Sequence, residues 1–196
     1  QHSSMIRIVP VENSKQLGQF IDFPHDLYVD DINYVPELYI AQKDMLTPGK
    51  HPFHKHAELQ LFLGYQGEKI VGRIAAIINK NHNEFTGRND AFYGFFDCIE
   101  SQVVADALFN AATNWIKPKG YDTLIGPVNF STNDNCGVLV QGYDRPPMAM
   151  MPYNKPYYDT LVKGHGFAKK TDLLAYELNV ASSNDRSLRL LDTLMK

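Results

Sequence analysis

One stretch limits the fold more than any other. Residues 91–99 (AFYGFFDCI) are β-rich and aromatic, residues 101–115 are an amphipathic helix, and residues 123–128 return to β-rich sequence. In the helix Val104, Leu108, Ala111, Ala112 and Trp115 fall on one stripe behind a Ser101 cap, and Lys117-Pro118-Lys119-Gly120 ends it. Two strands joined through a helix predict parallel neighbours with a right-handed crossover. The first strand carries Phe92, Tyr93, Phe95 and Phe96 on both faces, as a strand covered on both sides does.

The remaining segments complete a mixed α/β pattern. Residues 6–11 read as a strand. Ser14 is placed to cap a helix bearing Leu17, Phe20 and Ile21, which Pro24 should interrupt. Pro36 suits the first turn of a second helix with Leu38, Ala41 and Met45. Residues 58–65 and 69–78 flank Gln66-Gly67-Glu68 and predict a β-hairpin, with Leu59, Leu61 and Leu63 on one face and Phe62 on the other. Residues 79–90 read as a loop and residues 129–135 as a second one. Residues 137–141 fit a short strand or an extended edge. Residues 156–163 predict a helix and residues 173–180 a strand. The expected organisation is one domain over residues 5–180. Residues 181–196 then read as a linker and amphipathic helix (Leu188, Leu191, Met195), expected either to dock on the core or to start a further domain.

Charge and composition exclude several classes. A net charge of −3 over 196 residues does not suit general binding to nucleic acid or an anionic membrane. No apolar run reaches bilayer length, and no leader peptide is expected at the N-terminus, where residues 1–4 read as a tag remnant. Cys98 and Cys136 make no disulfide framework and no zinc spacing, so a cytoplasmic protein is expected. His51, His54 and His56 are close in sequence, but their segment holds no Cys or Asp, so no metal is expected.

Several motifs carry a family likeness. NKPYYDTLVKGHGFAKKTDLLAYEL, residues 154–178, resembles the last helix and strand of the GNAT superfamily of acyl-CoA N-acyltransferases. The upstream element order fits as well. GRIAAIIN, FYGFFDCIE, GPVNFSTNDNCGVLVQGYDRPPM and MPYNKPYYDTLVKGHGF resemble an uncharacterised bacterial group of GNAT-like proteins. The resemblance implies a mixed central sheet flanked by helices, with acetyl-CoA or another acyl-CoA as co-substrate. It also implies a small-molecule or peptidic amine acceptor, no membrane and room for a homodimer.

The family's pyrophosphate signature, Q/R-x-x-G-x-G/A, aligns with Glu100, Val103 and Ala105, and only Ala105 matches. The family's acid position falls on Val162. With that position apolar, Tyr153, Tyr157 or Tyr158 is the expected stand-in acid, and Glu58, Glu100 or Asp97 the candidate base. Cofactor contacts are expected from Cys98, Ile99, Ser101, Gln102, Val103 and Ala105, with a backbone amide at Cys98 or Ile99 polarising the thioester. Acceptor contacts are expected from Asn129, Phe130, Ser131, Asn133 and Asn154. The alternative is a GNAT-like domain with a degenerate pyrophosphate loop, kept for ligand binding, regulation or assembly.

Overall fold

The structure, a computed structural model, describes residues 5–177. Five strands form one sheet in sequence order: β1 (Ile6–Pro10), β2 (Ala57–Gln66), β3 (Lys69–Asn79), β4 (Asp90–Cys98) and β5 (Thr123–Ile125). The first four pair antiparallel and β5 joins β4 in parallel. Helix α4 (Gln102–Ile116) makes the predicted crossover, and Ser101 Oγ accepts the Val104 N–H at its start.

Both faces of the sheet are covered. On one, Val104, Leu108, Phe109 and Ala112 of α4, with Tyr158 and Leu161 of α5 (Tyr158–Gly164), meet Phe62, Ile74, Tyr93 and Phe96. On the other, Phe20 and Ile21 of α1 (Ser14–Leu27) and Leu46 of α2 (Tyr39–Leu46) meet Leu61, Leu63, Ile77 and Phe92. The hairpin alternation is as expected, with Leu61 and Leu63 opposite in direction to Phe62. Each such large apolar side chain contributes roughly 1.5–3 kcal/mol by leaving water.

A β-bulge sits in β4. Register passes from Arg73↔Asp97 to Ala75↔Gly94, so Ile74 faces both Phe95 and Phe96. Phe95 takes φ 48°, rare for a residue with a Cβ. The extra residue puts Phe95 in the core with Phe92, on the α1 face, and Phe96 and Cys98 in the core under α4.

Several boundaries differ from expectation. Asn13, not Ser14, caps α1 through the Gln16 N–H, and the helix runs through Pro24 to Leu27. Helix α2 starts at Tyr39, after Pro36. The expected loop after β3 contains α3 (Lys80–Thr86), because the Asn79 side chain caps the His82 N–H and Gly87 closes the turn at φ 64°. Strand β5 stops at Ile125 before the cis Gly126–Pro127 bond, and a single Val128↔Cys136 bridge follows; residues 137–141 form no strand. Residues 173–177 of the expected last strand are exposed and unpaired in any ladder. The rest of that strand and the expected helix in residues 181–196 lie outside the described residues.

Candidate functional site

Strands β4 and β5 part after three register pairs, the last being Phe92↔Ile125. Beyond that point β4 continues for six residues with no strand on this edge among the described residues. Its outward backbone groups are met by other partners. The Tyr93 carbonyl accepts the Val128 N–H (2.7 Å), and the Phe95 N–H donates to Asn129 Oδ1 (2.8 Å). The Cys98 N–H donates to the Tyr158 hydroxyl (3.1 Å), and the Tyr157 hydroxyl donates to the Cys98 carbonyl (2.7 Å). Buried amides and carbonyls need partners; here two side chains from α5 and its lead-in, and one from the β5 loop, supply them across an open V.

A charged pair lies at the mouth of the V. Arg73 and Asp97 are register partners on β3 and β4, with side chains 6% and 11% exposed. Arg73 Nε and Nη2 both donate to Asp97 Oδ2 (2.9 and 2.8 Å), and Nη1 donates to the Phe20 carbonyl (2.8 Å). Asp97 Oδ1 accepts the Tyr158 hydroxyl (2.9 Å) and the Tyr28 hydroxyl (3.3 Å). Burial, then the Asp97 charge, pushes the pKa of Tyr28 and Tyr158 well above that of a free phenol. Burial likewise raises Tyr157, with Cys98 and Asp97 adding to it. These phenols are held as neutral donors at neutral pH. The Cys98 thiol is raised by burial, then by Asp97, which makes it a poor nucleophile.

The three expected acid candidates separate. Tyr157 and Tyr158 engage the backbone of Cys98, whereas the Tyr153 hydroxyl donates to Asp31 Oδ1 (2.8 Å) in an adjoining cluster. Of the two expected polarising amides, only Cys98 faces the V; the Ile99 N–H donates to the Val71 carbonyl. At the α4 start, Ser101 caps the helix, Gln102 Nε2 donates to Asp106 and to the Leu161 carbonyl, Val103 is 68% exposed, and Ala105 is buried in the core. Glu100 is exposed. Of the expected bases, Glu58 sits between Lys119 and Lys80, whose hydrogen bonds lower its pKa. Asp97 alone is in the V.

Among the expected acceptor contacts, Asn129 lies at the V. Phe130 is buried and stacks on Phe53 at 4.4 Å. Ser131 and Asn133 belong to a turn closed by Asp134. Asn154 is buried and clamps Leu139, accepting its N–H and donating to its carbonyl. The His51 and His54 rings pack on Phe130, and His54 Nε2 bonds the Met45 carbonyl. Among the described residues no group of metal-ligating side chains converges. A cavity of about 210 Å³ between the end of α4 and Phe167 touches none of the V residues.

Sequence reasoning missed Tyr28 and Arg73. A signal existed for Arg73: an arginine inside IVGRIAAII, facing an aspartate inside FYGFFDCI, demands a buried partner. Tyr28 carried none.

No family model matches the chain. Over 173 residues, covering 88% of this chain and 45% of the relative, it is 38% identical to a protein of Caulobacter vibrioides (strain NA1000 / CB15N) named bacterial ceramide synthase. Over 164 residues, covering 84% of this chain and 42% of the relative, it is 38% identical to protein YghO of Escherichia coli (strain K12). The chain thus spans less than half the length of these curated relatives. Among solved structures, it superposes on a tandem GNAT protein from the clavulanic acid biosynthesis pathway with TM-score 0.54 and 13% identity, over 83% of this chain and 43% of that one. It superposes on an aminoglycoside acetyltransferase from an uncultured soil metagenomic sample, in complex with sisomicin, with TM-score 0.51 and 10% identity, over 89% of this chain and 96% of that one.

Proposed function

From a chain with the GNAT acetyltransferase fold, we propose an acyl-CoA-dependent N-acyltransferase that forms an amide on a primary amine. The observation that carries this reading is the V between β4 and β5, with the Cys98 amide on its inner edge. An acyl thioester laid along β4 would place its carbonyl oxygen on that amide in exchange for the Tyr158 hydroxyl. One such donor, aimed where charge develops, is worth roughly two to three orders of magnitude in rate. The neutral amine attacks the carbonyl carbon and the C–S bond breaks. The proton lost by the amine nitrogen ends on the thiolate, through Tyr157 or Tyr158. What supports that role is the placement of the two hydroxyls on the Cys98 backbone; their raised pKa keeps them protonated but makes them weaker acids, so the transfer depends on positioning.

The acceptor class draws on the relatives. A ceramide is an amide on a long-chain amino alcohol, so the likeness to a protein named ceramide synthase supports an amphiphilic amine.

Residues at the α4 start fit acyl-CoA in part. Ser101 and the helix N-terminus favour an anion, Val103 points to solvent, and Glu100 works against a pyrophosphate. The second reading, a degenerate domain used for ligand binding or assembly, is favoured by one observation: the Cys98 amide and carbonyl already have tyrosine partners. Calorimetry with acetyl-CoA and a long-chain acyl-CoA separates the two. The enzyme reading expects micromolar binding that tightens in Glu100→Gln, with amide formation on an added amine. No binding at millimolar concentration would leave the second reading.

A further inference from the structure

Beside the V stands an aromatic cluster that holds a cation. The Tyr28 ring stacks on Tyr34 with centroids 4.3 Å apart, and Tyr153 tilts against both at 6.1 and 6.3 Å. Lys155 Nζ lies 4.8 Å from the centre of the Tyr28 ring and 3.8 Å from Asp31 Oδ2. Asp31 is fixed in turn by the Tyr153 hydroxyl on its other oxygen. The Lys155 and Asp31 side chains are 22% and 19% exposed, so the ammonium is shielded yet open to exchange. A separation of 3.8 Å exceeds a charge-assisted hydrogen bond, so the cation is held by a ring face and a nearby charge rather than by tight ligation.

The same Tyr28 joins this cluster to the V. Its ring face carries the cation while its hydroxyl reaches Asp97 and Tyr158 (3.3 Å each) and accepts the Lys155 N–H (3.2 Å). A cation on that ring is therefore one phenol away from the group that meets the Cys98 amide.

We propose that Tyr28, Tyr34, Tyr153 and Asp31 form the recognition site for the ammonium form of the acceptor, with Lys155 as a resident cation that the acceptor displaces. The proposal rests on the amine-acceptor reading and names its recognition chemistry. Tyrosine ring faces attract cations, and Asp31 repels anions and rewards a nitrogen that carries N–H donors. Primary ammonium ions are thus preferred over neutral alcohols of the same shape. The bound ammonium loses one proton to solvent before it can attack a thioester.

The test uses the 196-residue chain without acyl-CoA, with n-butylammonium as probe and n-butanol as its neutral counterpart, read by tyrosine ring resonances. In Lys155→Met, and in Lys155→Gln as the second variant, n-butylammonium should shift the Tyr28, Tyr34 and Tyr153 signals roughly tenfold more tightly than in the wild type, the weight of one cation–π contact. Asp31→Asn should weaken the preference over n-butanol, leaving only what the ring faces supply. Equal binding by wild type and both Lys155 variants, or equal responses to amine and alcohol, overturns the site. An amine response without any acyl transfer in a separate turnover assay would uphold the site and sink the catalytic reading. Transfer without an amine response would do the reverse.

Discussion

Replacing Arg73 with methionine tests the charged centre of the V directly. The substitution keeps an unbranched apolar stem but removes both donors to Asp97 Oδ2 and the donor to the Phe20 carbonyl. It leaves a carboxylate that is 11% exposed with only the two tyrosine hydroxyls on Oδ1. Breaking a buried pair from one side costs about 3–5 kcal/mol. The retained hydroxyls pull toward the lower end and the orphaned Phe20 carbonyl adds about 1 kcal/mol, so the expected loss is about 4 kcal/mol. With a urea m-value of about 2 kcal/mol/M, the unfolding midpoint should fall by about 2 M. Removing both charges, as Arg73→Met with Asp97→Leu, should cost less than the sum of the two single changes, because neither charge is then stranded. A midpoint shift below about 0.5 M at constant m, or strict additivity in the double variant, would refute the reasoning.

Tyr158→Phe removes the partner of the Cys98 N–H and one donor to Asp97; stability should fall by about 1–3 kcal/mol and amide formation by about a hundredfold, and a variant with full turnover would remove Tyr158 from the proton path. Asn129→Ala strips the Phe95 N–H of its acceptor, so hydrogen exchange at that amide should quicken and stability drop by about 1–3 kcal/mol; an unchanged exchange rate would contradict the cap. A Cβ on Gly94 would stand 2.2 Å from the Val128 carbonyl oxygen, a backbone atom that no rotamer can move, so Gly94→Ala should cost about 1–3 kcal/mol in urea unfolding, and an unaltered midpoint would speak against that close approach. Burial, then Asp97, pushes the Tyr34 pKa up to about 12. The unfolded phenol ionises first, so this contribution is whole below pH about 10 and fades between about 10 and 12, by roughly 1.4 kcal/mol per pH unit. Tyrosinate absorbance complete near pH 10 with the fold intact would contradict it.

The α4 stripe and its two flanking parallel strands were legible because helical and strand periodicity act on local sequence. The hairpin was legible for the same reason. The α3 helix was not, because KNHNEFT has no apolar stripe and buries no residue; its Asn79 cap and Gly87 stop are the only marks it leaves. Pro24 misled because the Phe20 carbonyl, which an N–H at position 24 would have met, accepts Arg73 Nη1 instead, while Phe20, Ile21 and Phe23 stay packed. At the candidate site, Tyr157 and Tyr158 could be singled out because they lie beside a recognisable turn. Tyr28 was not, since it meets Tyr158 from 130 positions away and nothing in its own neighbourhood marks that encounter. Distinguishing the Cys98 amide from that of Ile99 needed the bulge, because one extra residue in β4 decides which backbone groups turn to the open edge.

The side chains bridging the V have a mechanical consequence. Asn129 and Tyr158 latch the free edge of β4 from outside the sheet, each through a single hydrogen bond to backbone. Swinging either aside leaves all ladder pairings intact. With the Tyr157 hydroxyl on the Cys98 carbonyl, a guest threading along that edge meets a stiff rail with three side-chain catches, and its affinity will be set by how well it replaces them rather than by any bending of the frame.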